Sequence, residues 1–216
     1  MIKVLVVDDH DLVRMGIVRL LSDNKGVEVV GEAASGEEAV EKAKNLQPDV
    51  VLMDIKMPGM GGLEATRKLM RLNDEIRVIV VTACGEDPYA SRLLQAGALG
   101  YLTKGASAEE MIRAILKVKT GQRYISPEIA QRMVLRQFES SEAACPFDLL
   151  SDREMQIALM IVNCEKVQDI SDKLYLSPKT VNTYRYRIFE KLTISSDVEL
   201  TRLAIRHGLI DAEVGS

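Results

Sequence analysis

Three carboxylates, a hydroxyl and an amine stand at the ends of short apolar runs. Asp8 and Asp9 follow Lys3–Val7, Asp54 follows Asp49–Met53, Thr82 closes Arg77–Thr82, and Lys104 comes after Leu99–Leu102. Carboxylates gathered at one place repel one another and need a cation, and a ligand set of oxygens alone suits Mg²⁺. A lysine and a threonine across from a carboxylate are what a transferred phosphoryl group requires. The ammonium neutralises its charge and the hydroxyl donates to its oxygens. Each residue also has an ordinary reading: an Asp-Asp pair is usually a solvated turn, and an Asp just before Pro58-Gly59 usually starts one. Turns alone account poorly for all five falling at strand ends.

The runs that deliver these residues are Lys3–Val7, Val27–Glu32, Asp49–Met53, Arg77–Thr82 and Leu99–Leu102. They are rich in β-branched residues and apolar at successive positions, as strands buried on both faces are. Amphipathic stretches lie between them. Leu12, Gly16, Leu20 and Leu21 share one helical stripe, and Ala39, Ala43 and Leu46 another. Ser35–Glu38 and Ser107–Glu110 have the spacing of capping boxes. Alternation of strand and helix predicts a doubly wound, parallel, five-stranded α/β sheet within residues 1–120. In such an open sheet, ligands bind outside the carboxyl ends of the strands. The glycines of Gly31–Gly36 and Gly59–Gly62 do not form GxGxxG after a strand, so no dinucleotide site is expected.

Residues 121–148 read as a connector, with a helix from Ser126-Pro127 to about Gln137 and an irregular polar stretch over Glu139–Pro146. Residues 149–216 have only helical patterning. Ser151–Glu154 is a further capping box, and Val167–Leu174 is a short amphipathic helix. Tyr175-Leu-Ser177 is a tight turn, and Ser177 with Pro178 starts a longer helix that turns Val181, Ile188 and Leu192 inward. A last helix covers Val198–His207. Lys179, Arg185, Arg187 and Lys191 against Glu190 leave a net +3 on residues 177–191 of an acidic chain. A short helix, a turn and a basic helix form a helix-turn-helix, in which the second helix enters a DNA groove. Lys179, Asn182, Thr183, Tyr186 and Arg187 face outward, and Thr180 and Lys191 complete the set of candidate DNA contacts. Alone, this helix would read as a solvated charged face.

The strand-end residues resemble the receiver domain of two-component response regulators. Asp8-Asp9 match its acidic pair, Asp54 its phospho-acceptor, Thr82 its switch hydroxyl and Lys104 its lysine, while Asp54-Ile-Lys-Met-Pro-Gly59 matches its DxxMPG stretch. The resemblance implies a flavodoxin-like receiver in which Asp54 takes a phosphoryl group from a phosphohistidine on a sensor histidine kinase. It implies Mg²⁺ held by Asp9, Asp54 and the backbone carbonyl of Lys56, with Asp8 acting through water. It places Tyr101 at the switch-aromatic position, packing inward once Thr82 is drawn to the phosphate. Leu150-Ser-Asp-Arg-Glu154, Thr180-Val-Asn182 and Glu190-Lys-Leu192 resemble the LuxR-type helix-turn-helix, with Tyr184 where that family often has His and Asn182 where it often has Lys. The two halves together are similar to the NarL/FixJ class. Leu176–Leu192, Asp197-Val-Glu-Leu200 and Ile205-Arg-His-Gly208 are similar to its global-activation branch. That likeness implies a cytoplasmic, non-enzymatic activator of small regulatory RNA genes. It would bind promoter DNA as a homodimer through the last helix, with RNA polymerase as a further partner.

The chain has 216 residues, 47% hydrophobic and 28% charged, with a formal net charge of −4, which excludes a globally basic nucleic-acid coat. Its three cysteines, Cys84, Cys145 and Cys164, are far apart and form no CxxC, so neither a disulfide framework nor a structural zinc site is expected. No apolar run approaches the roughly 18 residues of a membrane span. His10 and His207 read as structural. A metal-dependent phosphatase with a covalent aspartyl intermediate is a different class of reading. It wants a nucleophile and a general acid two residues apart, where this chain has Asp54 with Lys56 and Asp8 with His10. A receiver that binds DNA without phosphate control is a third.

Overall fold

The computed structural model describes residues 1–82, 90–131, 133, 145–207 and 209–210, with the backbone alone at 90 and 91. Cys84, most of the irregular stretch expected over Glu139–Pro146 and the later part of the helix begun at Pro127 lie outside them. The chain forms two compact units, Met1–Val134 and Leu135–Ser216. No helix among the described residues is long and apolar enough to cross a membrane.

In the first unit, β1 (Ile2–Val7), β2 (Val27–Ala33), β3 (Val50–Asp54), β4 (Arg77–Thr82), β5 (Gly100–Thr103) and β6 (Tyr124–Ile125) form one sheet in the order β2-β1-β3-β4-β5-β6. Every pairing is parallel. The expected sheet had five strands. The sixth is two residues long, too short for a periodic signal, and it pairs Tyr124 with Gly100 and Ile125 with Tyr101. Central β3 is buried throughout, as its unbroken apolar run requires. Edge strand β2 was expected to be covered on both faces, but it leaves Glu28 exposed and Val29–Glu32 half-covered, because an edge has a neighbour on one side only.

Helices α1 (Asp11–Ser22), α2 (Gly36–Leu46), α3 (Gly61–Leu72), α4 (Ala90–Gln95) and α5 (Ala108–Lys119) connect the strands. α1 and α5 cover one face of the sheet through Ile17, Leu21, Met111, Ala114, Ile115 and Val118. α2 and α3 cover the other through Ala39, Ala43, Ala65 and Leu69. α1 corrects the expected stripe: Leu21 is buried, but Leu12 is 85% exposed and Gly16 and Leu20 face solvent, while Ile17 takes the inner position. The helix is apolar on nearly every side, so periodicity alone admits two inner faces and contact with the sheet selects one. The cap at α2 differs from a capping box: Ser35 accepts from the Glu38 N–H, but the Glu38 carboxylate accepts from the N–H of Ala34. At α5, Ser107 accepts from the Glu110 N–H, while the Glu110 carboxylate accepts from the Tyr124 hydroxyl on β6.

The second unit opens with a 3₁₀ turn, Pro146–Leu149, followed by α6 (Asp152–Val162), α7 (Val167–Leu174), α8 (Pro178–Leu192) and α9 (Asp197–Arg206). Ser151 and Glu154 form the reciprocal capping box at α6. Ser177 caps α8 with Pro178 at its first position. The turn between α7 and α8 passes through Tyr175 in left-handed backbone and is closed by the Ser171 hydroxyl, which donates to the Leu176 carbonyl. Val181, Ile188 and Leu192 face inward as predicted, sharing a core with Ile157, Ala158, Ile170, Leu174, Leu200 and Ala204.

Gly62 sets how closely α3 approaches the end of β3: its N–H donates to the Ile55 carbonyl at 3.0 Å. A Cβ there would collide with the Asp54 carbonyl oxygen and sit 2.9 Å from the Ile55 Cα, both rigid backbone. Gly62→Ala is expected to cost about 1–3 kcal/mol through this overlap. Urea unfolding of the full chain measures it, as a lower midpoint for the first unit's transition with that of the second unchanged.

Candidate functional site

The strand order reverses between β1 and β3, and in an open parallel sheet the crevice at that reversal is where ligands bind. β1 runs directly into Asp8 and Asp9, and β3 ends in Asp54. Asp8 and Asp54 are 1% and 3% exposed, so both carboxylates have lost most of their water. Lys104, just beyond β5, lies between them, its Nζ 2.7 Å from Asp8 Oδ2 and 3.0 Å from Asp54 Oδ2. The Ile55 N–H donates to Asp54 Oδ1 at 2.8 Å.

Burial pushes the Asp54 carboxyl up to about 6; the nearby Asp8 carboxylate adds to this, and Lys104 and the Ile55 N–H work against it. Burial would lower Lys104, but its bonds to Asp8 and Asp54 outweigh that and hold the ammonium above its ordinary range. One lysine thus serves two buried carboxylates, with a third, Asp9, close by, and the pocket is short of positive charge.

Asp8, Asp9, His10 and Asp54 each offer a ligand atom, all within 4.8 Å of one another. Asp9 Oδ1 is buried and accepts no hydrogen bond. An orphaned carboxylate oxygen within an acidic cluster fits a divalent cation. Thr82 and Tyr101 also lie near this edge, at the end of β4 and within β5. Tyr101, expected to turn inward on phosphorylation, is already fully enclosed here.

Two residues of this site were not assigned from sequence. His10 was read as structural, yet its Nδ1 lies 2.9 Å from Asp9 Oδ1. Arg14 braces the backbone, donating to the Asp8 carbonyl at 2.8 Å, to Glu32 Oε2 at 3.1 Å and to Asp11 Oδ1 at 2.6 Å. Its one readable signal was an arginine in the first turn of the helix that follows the acidic pair.

On the second unit, α8 presents Lys179, Thr183, Tyr186 and Arg187 to solvent, with Asn182 half-covered. Thr180 shares a 2.8 Å hydroxyl hydrogen bond with Ser177. The expected net charge of the helix is partly spent inside the unit. Arg185 makes two bonds to Asp197, at 2.8 and 2.6 Å. Lys191 was expected to face DNA but is turned onto the buried Glu154 at 2.6 Å, because that carboxylate needs a countercharge. Burial would raise Glu154, but Lys191 and Ser151 outweigh it and hold the carboxyl below its usual range. Among the described residues, Lys179 and Arg187 are the cations of α8 left without an ion-pair partner.

Residues 4–116 match the response regulator receiver domain and residues 148–204 match the bacterial regulatory proteins of the luxR family. The chain belongs to the two-component response regulators with a LuxR-type DNA-binding domain, and so to a class of transcriptional regulators rather than enzymes. Within that class it is similar to response regulator GacA of Pseudomonas syringae pv. syringae, 68% identical over 212 residues that cover 98% of this chain and 99% of GacA. It is also similar to response regulator UvrY of Escherichia coli K12, 56% identical over 213 residues that cover 99% and 98%. The crystal structure of response regulator ChrA, from a heme-sensing two-component system, has a TM-score of 0.54 at 29% identity, covering 97% of this chain and 98% of that one. A LuxR-family response regulator from Aurantimonas has a TM-score of 0.60 at 37% identity, covering 63% and 97%.

The raised Asp54 carboxyl has a definite sign. The folded protein holds this proton up to about pH 6, the unfolded chain only to about 3.9, so Asp54 removes stability as pH rises between those values. Asp54→Asn is expected to gain stability relative to the parent across that window, reaching about 1–3 kcal/mol at pH 7 without divalent cations. Thermal melts at pH 4, 5, 6 and 7 measure it, and a gap between the two proteins that does not widen with pH would contradict it.

Proposed function

We propose that Asp54 accepts a phosphoryl group from a phosphohistidine of a sensor histidine kinase, and that the resulting acyl phosphate controls DNA binding by α8. An Asp54 carboxylate oxygen attacks phosphorus as the P–N bond to the histidine breaks. The departing ring nitrogen keeps the electron pair, the ring's other nitrogen carries a proton throughout, and the products are an aspartyl phosphate and a neutral imidazole. What carries this reading is the Lys104 ammonium, 2.7 Å from Asp8 and 3.0 Å from Asp54, placed to meet charge arriving on the phosphoryl oxygens. Asp9, Asp54 and the Lys56 carbonyl, with Asp8 through water, would hold Mg²⁺. When bound, that ion supplies charge neutralisation for the transferring group.

Thr82 donates its hydroxyl to a phosphoryl oxygen, and Tyr101, already enclosed, is held in place by that movement. The modification shifts an equilibrium of the whole chain towards a form that dimerises on promoter DNA. The receiver would occupy residues 1–120, with 121–148 as linker and 149–216 as the DNA-binding domain. α9 supplies the dimer surface. Lys179 and Arg187 neutralise phosphates, while Thr180, Asn182, Thr183 and Tyr186 reach base edges and backbone. The sites are promoters of small regulatory RNA genes in the cytoplasm, with RNA polymerase as the partner recruited there.

Radiolabelled phosphoryl transfer from kinase or acetyl phosphate tests the acceptor: the parent is expected to label and Asp54→Asn not to. Stoichiometric labelling of the variant would overturn the assignment. Footprinting with and without donor tests the control, and equal DNA affinity for Asp54→Ala and phosphorylated protein would favour the unregulated reading. Lys179→Ala and Arg187→Ala are each expected to lower the salt dependence of DNA binding by about one unit of slope, with folding intact. Arg185→Ala and Lys191→Ala are expected to lower the second unit's melting midpoint instead.

A further inference from the structure

The pocket holds one donor that an all-oxygen Mg²⁺ site has no use for. We propose that the His10 imidazole is a ligand of the divalent site, so that it strengthens the binding of ions that accept nitrogen, such as Ni²⁺, more than the binding of Mg²⁺. This rests on the reading that the acidic cluster holds a divalent cation.

Four observations converge on it. His10 Nδ1 lies 2.9 Å from Asp9 Oδ1 and 3.4 Å from Asp8 Oδ1. Despite that closeness, Asp9 Oδ1 accepts no hydrogen bond, so the ring's N–H is not aimed at it. A ring nitrogen and a carboxylate oxygen held this way are spaced like neighbouring ligands of one ion. Two donors at right angles on an octahedral ion, each about 2.1 Å from it, stand about 3 Å apart. Finally, the imidazole does not cap the helix that it precedes. His10 occupies the N-cap position of α1, but its side chain makes no capping bond.

The backbone beneath the ring is fixed. The His10 N–H donates to Asp8 Oδ1 at 2.9 Å and its carbonyl accepts from the Arg14 N–H at 3.0 Å. Arg14 in turn holds the Asp8 carbonyl at 2.8 Å. The ring itself remains 66% exposed, reachable by an ion entering from solvent. A neutral imidazole binds Mg²⁺ poorly and binds later first-row ions progressively better, so one histidine among carboxylates changes which ion the pocket selects. The rival arrangement is a histidine that only orients Asp9, which would alter affinity for every ion alike.

The test uses the full chain at pH 8 in metal-free buffer, with Mg²⁺, Mn²⁺ and Ni²⁺ titrated calorimetrically into the parent and His10→Asn. The variant is expected to lose about 10-fold or more in Ni²⁺ affinity, several-fold in Mn²⁺ and less than about twofold in Mg²⁺. The chain has two histidines, so ¹⁵N-imidazole labelling gives an independent readout. Zn²⁺ should move the ring-nitrogen signals of His10 and leave those of His207, which packs edge-on against Phe147 in the other unit. An equal loss for all three ions, no loss for any, or an unmoved His10 signal would overturn the proposal. Binding without His10 dependence leaves the cation reading of the pocket standing, whereas no divalent binding by the parent overturns both.

Discussion

Two carboxylates buried side by side, with one ammonium between them, are the constraint around which the first unit is organised. Asp8 and Asp54 end up adjacent because β1 and β3 are paired neighbours and both strands end at the same edge. Burying like charges is unfavourable unless opposite charge lies within reach. Lys104 supplies one positive charge from across β4, and the shortfall leaves Asp54 holding its proton up to about 6. A pocket short of positive charge favours a cation that redresses it. The supports are as specific as the charges. Gly62 lets α3 close on the Asp54 backbone, and Arg14 ties the Asp8 carbonyl to β2.

The second unit handles charge in the opposite way. Its buried Glu154 is satisfied within the unit, by Lys191 and by the Ser151 backbone N–H that completes a capping box. Asp197 is likewise satisfied by Arg185. The exposed surface of α8 includes Lys179, Thr183, Tyr186 and Arg187, with Glu190 and Lys191 towards its end. Of the four cations of this helix, Arg185 and Lys191 are paired within the unit, although Lys191 remains exposed.

Where sequence and structure part, the reasons are local. The strand-end residues were legible because runs such as Val50–Asp54 are buried on both sides and leave no ambiguity of period. The inner stripe of α8 was legible because its apolar residues are few. α1 misled because Leu12, Met15 and Leu20 are apolar yet exposed, so the pattern could not separate the sheet-facing side from the other. β6 was invisible because two residues carry no periodicity. Its Tyr124 then drew the Glu110 carboxylate away from the reciprocal cap that Ser107 suggested.

The amino-acid sequence by itself determined the alternation of strand and helix, the acidic pair and lone aspartate with their lysine, and the capped basic helix after a tight turn. Those follow from short-range rules: burial period, capping chemistry and turn stereochemistry act over a few residues. The tertiary structure alone decided which charges meet. Residues 46 positions apart, Asp8 and Asp54, come to share a lysine, His10 is brought against Asp9, and Lys191 is paired with Glu154. Those pairings depend on strand order and helix packing, and Coulomb forces in a dehydrated pocket act on distances that no local pattern encodes.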